Sequence, residues 1–239
     1  HVLMGRERCV LEVGAWCDVS VCRGASNART ENPEPRTAMH GRGPAPEHTH
    51  DPFADGLPAL EGDRVRLRQA DPRDVPDLLD LFGDADTLAY WSHGPLADHG
   101  AAETYYQGMQ TGLRDRSLFQ WAVTEPADDR LIGTVTLVGW DKQNRRCELG
   151  FILHPNAQGR GLASDAVRTA LRFAFSEMGL ARVEADVDPD NAASSRLLAR
   201  LGFVLEGVMR RRWFTFGTWK DSYFYGLLES DFESDDPGT

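Results

Sequence analysis

The chain has 239 residues, of which 41% are hydrophobic, with a mean hydropathy of -0.43 and a formal net charge of -11. That length accommodates one large domain or two small ones. No run approaches the roughly 20 apolar residues that cross a bilayer, and the acidic balance argues against a nucleic-acid-binding surface while favouring cationic partners such as amines.

Residues 1–60 read as a poorly ordered N-terminal extension. Charges at Arg6, Glu7 and Arg8 break any apolar core of a secretory leader. Residues 27–58 are rich in Pro, Gly, Asn, Glu and His, with too few apolar side chains to offset the entropy of ordering. The run Cys9–Cys22 reads as an isolated strand, and Met39 as a start preceded by an upstream extension. The four cysteines, Cys9, Cys17, Cys22 and Cys147, have no secretory context that would make them a disulfide framework. Cys17 and Cys22 with His40, His48 and His50 match no common zinc spacing, so no metal is expected. The expected compartment is the cytoplasm.

Glu61-Gly62-Asp63 is a turn, and Arg64–Gln69 alternates as a strand with one buried face. Asp71-Pro72 or Asp74 opens a helix whose apolar side is Val75, Leu78, Leu79 and Phe82. Asp84–Leu96 holds Tyr90, Trp91 and His93 between short helices, the second capped by Asp98 and running to about Leu113. Phe119–Thr124, Leu131–Trp140 and Arg146–Leu153 read as an antiparallel three-strand meander. After the next helix come a strand over Arg182–Val187 and a helix from Asp190-Asn191 to Leu201-Gly202, where glycine provides the left-handed stop. Phe203–Phe214 and Thr218–Leu228 are strands turned at Phe216-Gly217. The order βααβββαβαββ predicts a mixed sheet covered by helices.

The segment following the meander carries the chemistry. His154-Pro155 closes the strand, a loop presents Gly159 and Gly161, and Leu162, Ala166, Val167, Ala170, Leu171, Ala174 and Phe175 recur at helical spacing. The first turn of a helix has amide groups with no intrahelical partner and partial positive charge from the dipole. Glycines let main chain approach a ligand, so the element is a cradle for phosphate oxygens, to which Arg160 and Arg168 add charge. Three readings compete: a plain surface loop, a dinucleotide loop and a coenzyme A diphosphate loop. Against the dinucleotide loop, Pro155 to Gln158 separate the strand from the first glycine and Ser164 is a poor third small residue. There is no G-K-[ST].

Gln158-Gly159-Arg160-Gly161-Leu162-Ala163 resembles the Q/R-x-x-G-x-G/A signature of the GNAT superfamily of N-acetyltransferases. Asn191-Ala192-Ala193-Ser194 through Leu201-Gly202-Phe203 looks like that family's N-x-x-S…L-G-F segment. Glu206-Gly207, Arg210-Arg211-Arg212 and the Gly217…Asp221 stretch resemble the closing hairpin of the RimJ/RimL-type branch, which acetylates ribosomal-protein N-termini. The resemblance spans roughly Glu61 to Glu233 and leaves residues 1–60 and the tail 234–239 unexplained. It implies an α+β fold, a mixed, mostly antiparallel sheet of about seven strands with helices on both faces. It also implies acetyl-CoA as co-substrate, with Gln158 to Ser164 at its diphosphate and Asn191 on its pantetheine arm. By the same resemblance, main-chain N–H groups at Phe151, Ile152 and Leu153, beside a strand that splays at Gly150, face the thioester oxygen.

An amine of pKa near 10.4 is neutral only about one part in 10³ at pH 7, so a carboxylate must accept its proton directly or through water. Alternation puts Glu148, Gly150 and Ile152 on one face of their strand and Cys147, Leu149 and Phe151 on the other, which makes Glu148 the candidate base. The alternative is an ion pair of Glu148 with Arg146 or Arg212. Where many superfamily members carry a Tyr that protonates the leaving thiolate, this chain has Leu198, which by resemblance leaves that role to Ser194. Tyr223 and Tyr225 are weaker candidates. Tyr90, Trp91, Trp213, Trp219 and Asp221 are candidates for the acceptor site, with Asp221 either orienting a cation or bracing the last hairpin. Cys147, mid-strand without an activating His, gives no covalent acetyl-enzyme. The expected activity is acetyl transfer to a primary amine, a peptide or protein N-terminus or a polyamine-like molecule, by a monomer or homodimer. A non-catalytic acyl-CoA sensor and, more distantly, a nucleotide-binding oxidoreductase are the alternatives.

Overall fold

A computed structural model of the protein describes residues 51–91 and 94–232. The expectations for Cys9, Cys17, Cys22, Met39, His40, His48, His50, His93 and the tail 234–239 lie outside these residues. The elements are β1 (Leu60–Glu61), β2 (Arg66–Gln69), α1 (Val75–Gly83), α2 (His99–Arg114), β3 (Leu118–Thr124), β4 (Leu131–Asp141), β5 (Arg146–Leu153), α3 (Leu162–Ser176), β6 (Arg182–Val187), α4 (Ala192–Arg200), β7 (Val204–Thr215) and β8 (Thr218–Leu228). They form one sheet ordered β1-β2-β3-β4-β5-β6-β8-β7. Every pairing is antiparallel except β5 with β6. The expected α+β class holds. The strand beyond the expected seven is β1, whose residues, Leu60 of the expected extension and Glu61 of the expected turn, pair with β2.

Each helix start has a local cause. Asp71 and Asp74 form a reciprocal capping box around a single turn at Pro72–Asp74 that leads into α1. The Asp98 carboxylate accepts from the Ala101 amide to start α2. The Asn191 side chain accepts from the Ser194 amide to start α4, and Gly202, at φ 91°, ends it.

Alternation along the strands divides the interior in two. Trp121, Val135, Leu137, Cys147 and Leu149 pack under α3 with Val167, Ala170, Leu171 and Ala174. Ala122, Leu131 and Ile152 pack on the opposite side with Leu78, Phe82, Tyr105 and Met109 of α1 and α2. Among the described residues no helix is long and apolar enough to cross a membrane.

The expected poorly packed extension does not hold for residues 51–60. Phe53 is 1% exposed, stacks on Phe119 at 3.9 Å between centroids and meets Phe173 edge-on at 5.6 Å. Trp121 Nε1 donates to the Pro58 carbonyl at 2.8 Å, and Arg116 pairs with Asp51 at 2.9 Å. Two aromatic contacts and two polar ties outweigh the surrounding composition, so the packed chain extends back at least to Asp51.

A buried charge pair fixes β2 against the turn before α1. The Arg68 guanidinium donates to both Asp74 oxygens at 2.7 and 2.8 Å, and its Nε to Asp129 at 2.9 Å. The Asp74 hydrogen bonds, against the opposing effect of burial, raise the Arg68 pKa above its usual value. The group stays charged while burying its stem.

Candidate active site

The site begins where two parallel strands stop pairing. The β5–β6 ladder runs Arg146↔Arg182, Cys147↔Val183 and Glu148↔Glu184, and no further. Beyond it β5 continues on β4 to Gly133↔Leu153, and β6 continues on β8 to Val187↔Tyr223. The strands diverge from Leu149 onward, so alternate peptide groups on one edge of β5 have no strand partner there. The expected splay beside Gly150 is present.

The end of β5 feeds the glycine loop. His154 caps the single turn Pro155–Ala157, and Gln158 Nε2 returns to the Leu153 carbonyl at 3.0 Å, tying loop to strand. Gly159 and Gly161 adopt φ of 73° and 79°, a region that costs other residues strain. A Cβ on Gly159 would meet nothing within 4 Å, and one on Gly161 would meet only Arg64 Nη1, at 3.6 Å. No side chain caps α3, whose N-cap is Gly161. The first-turn amides therefore open onto clear space, which suits a diphosphate. Gln158 to Gly161 are exposed, Ala163 and Ser164 half-buried, and Leu162 packs into the core. The Arg160 guanidinium is turned away from the loop, onto Glu125 at 2.9 and 2.5 Å.

An open cavity of about 140 Å³ occupies the gap between β5 and β6. It brings together Glu148, Phe151, Asn191, Ser194, Tyr90, Trp91, Trp213 and Asp221 of the expected set. Ile152 and Leu153 do not line it. Their side chains are 6% and 4% exposed and belong to the two cores, so only their main chain is available to a ligand. Leu198 is fully buried in the core. Tyr225 is 6% exposed and Tyr223 packs against the same core, and neither lines the cavity. Arg146 Nη1 bonds Glu184 at 2.8 Å, and Arg212 Nε bonds Asp186 at 3.2 Å.

The description "Acetyltransferase (GNAT) domain" matches residues 64–204. The chain belongs to the GNAT acetyltransferase family. Probable N-acetyltransferase YjcK of Bacillus subtilis is 34% identical to it over 179 residues, covering 73% of this chain and 99% of that protein. Spermidine N(1)-acetyltransferase of Escherichia coli is 27% identical over 158 residues, covering 66% of this chain and 82% of that protein. In fold, it is similar to ribosomal-protein-S5-alanine acetyltransferase from Vibrio fischeri, with a TM-score of 0.64 at 23% identity over 74% of this chain and 99% of that one. Acetyl-CoA is thus the acyl donor, and the activity is N-acetyl transfer.

Several residues of this GNAT site were not visible in the sequence pattern. Asp165, in the first turn of α3, accepts from the amides of Asp63, Arg64 and Val65 at 3.2, 2.7 and 3.1 Å. It ties the start of the acetyltransferase domain to the helix beneath the glycine loop, and Arg64 Nη1 completes the tie on the Arg160 carbonyl at 3.0 Å. Asp186, Asp188 and Lys220 line the cavity, and only the alternation of A-D-V-D before Pro189 hinted at the two acids. Asp221 braces the hairpin by accepting the Arg211 amide at 2.8 Å. Cys147 is 1% exposed, and burial, with the neighbouring Glu148 and Glu184 charges, pushes its thiol pKa well up, so it is no nucleophile at neutral pH.

Proposed function

We propose that this acetyltransferase passes the acetyl group directly to a cationic primary amine within a ternary complex. One observation carries the reading: the gap between β5 and β6 is lined by Glu148, by aromatic side chains, and, beside the Arg212-paired Asp186, by Asp188 and Asp221 against a single lysine. Such a lining favours a protonated amine on entry and offers it a proton acceptor. Small polyamines and peptide N-termini both meet that description, and a 27% identical relative is a spermidine acetyltransferase.

The roles follow from position. The amides opening α3 and the glycine loop hold the coenzyme diphosphate. Asn191 uses its side-chain oxygen to cap α4, which leaves its amide N–H₂ for the pantetheine arm. Glu148 takes the proton from the ammonium, directly or through water, and the amine lone pair attacks the thioester carbon. Main-chain N–H groups on the free edge of β5 between Phe151 and Leu153 stabilise the charge gathering on oxygen. As the carbon–sulfur bond breaks, the nitrogen gives up its second proton and the departing thiolate gains one, relayed by the Ser194 hydroxyl at the cavity wall.

The test is incubation with acetyl-CoA and an amine panel, reading free thiol and product mass together. Thiol release matched by a mass gain of one acetyl group on an amine is the expected result. Coenzyme binding without thiol release from any amine refutes the reading and returns the sensor alternative.

A further inference from the structure

The edge hairpin carries an irregularity that the acetyl-transfer scheme does not use. In the β7–β8 ladder, Met209 pairs with Ser222 and Trp213 with Lys220, so Arg210, Arg211 and Arg212 together face the single residue Asp221. Arg211 takes φ 51°, and its amide is held by the Asp221 carboxylate at 2.8 Å. In a regular strand, neighbouring side chains point to opposite faces. Here Arg212 and Trp213, neighbours in sequence, both reach one carboxylate: Arg212 Nε is 3.2 Å from Asp186 Oδ2 and Trp213 Nε1 is 3.0 Å from Asp186 Oδ1. A bulge is what allows this. Ser222, on the strand between them, donates its hydroxyl to the same carboxylate. The Arg212 guanidinium also lies 5.3 Å from the centre of the Trp213 ring. The Asp186 side chain is 7% exposed, so its charge is matched by donors from two other strands.

We infer that Asp186 is a specificity-determining positioning residue. By gripping Trp213 across three strands, it fixes the indole as the hairpin-side wall of the acceptor cleft. Trp213 and Asp186 both line that cleft together with Asn191 and Ser194, whereas the glycine loop assigned to the coenzyme diphosphate lies outside it. The tie therefore acts on which amine is accepted and how tightly, and leaves the grip on the coenzyme diphosphate unaffected. The inference rests on the acceptor reading above and deepens it: the cleft takes a cationic amine against a preset aromatic wall.

The experiment is a double-mutant cycle of Asp186→Ala and Trp213→Phe. Trp213→Phe keeps a ring and deletes only the fused pyrrole with its N–H donor. Steady-state kinetics are run with n-propylamine, spermidine and an Ala-Gly-Gly peptide, and coenzyme A affinity is read by calorimetry. Each single variant is expected to raise the KM of the preferred amine on the order of tenfold, the scale of one hydrogen bond to a charged group. The double variant is expected to be no worse than either, with coenzyme A affinity unchanged in all three. Additive losses, or a fall in coenzyme A affinity that parallels the amine effect, overturn the inference. If Asp186→Ala does not fold, Trp213→Phe decides alone, an unaltered amine KM overturning the proposal. Should the wild type turn over none of the amines, the acceptor reading fails by itself. The Asp186–Trp213 tie is then judged by the same cycle in urea unfolding midpoints, where additivity overturns it.

Discussion

Replacing Gly161 by Asp tests the coenzyme cradle most directly. Two costs are separable. At φ 79°, any side chain carries left-handed strain of about 1 kcal/mol, and there is no steric cost beyond it because the Cβ would meet only Arg64 Nη1 at 3.6 Å. The second cost appears only when the coenzyme binds. A carboxylate about 5 Å from a phosphate charge, at an effective dielectric near 20, is repelled by about 3 kcal/mol, on the order of a hundredfold in Kd. Gly139→Asp is the matched control: φ is 67° and nothing lies within 4 Å of its Cβ, but it sits outside the loop. Calorimetric titration with acetyl-CoA should show the loss for Gly161→Asp, a much smaller one for uncharged Gly161→Asn, and none for Gly139→Asp. The charge-dependent part should shrink in 1 M salt, where screening extends over only about 3 Å. Wild-type affinity in Gly161→Asp would refute the placement of the diphosphate and with it the site.

Three further outcomes are expected. Glu148→Gln should lower turnover about 10²- to 10⁴-fold near neutral pH and recover partly toward pH 10, where the amine loses its proton unaided; a pH–rate profile parallel to wild type would show another base. Phe53→Ala should cost about 3–5 kcal/mol in urea unfolding, because a nearly fully buried ring stacked on Phe119 leaves a cavity; a loss below about 1 kcal/mol would mean that residues 51–60 do not hold the core together. Asp74→Ala, which removes the bidentate partner of the buried Arg68 and leaves it Asp129, should cost about 3 kcal/mol in the same assay, and an unchanged midpoint would contradict the pair's burial.

What could be read from the sequence was local. The β5–loop–α3 unit announces itself because alternation, two glycines and a helical apolar stripe follow one another in a single stretch of chain. Asn191 and Gly202 mark the ends of α4 for equally local reasons. What escaped depends on distant partners. Phe53 sits in a segment whose composition predicts disorder, and only Phe119 and Phe173 reveal it as core. Asp165 looks like an ordinary first-turn acid until the backbone of residues 63–65 is seen to bond it. Asp186 gains its meaning from the bulge at Arg210–Arg212, and no propensity marks three consecutive arginines as the place where a strand breaks register. Glu148 was the opposite case: chemistry singled it out, and β5 brings it to the lining of the cleft.

The opening between β5 and β6 exists because the main chain stops pairing after Glu148 and Glu184, not because small side chains leave a hollow. On the proposed mechanism, substitutions around its rim reshape the entrance for a different amine without disturbing the β5 peptide groups assigned to the thioester oxygen. A scaffold of this kind separates the choice of customer from the act of transfer, so new acceptors become reachable by few changes and with the acylation machinery left intact.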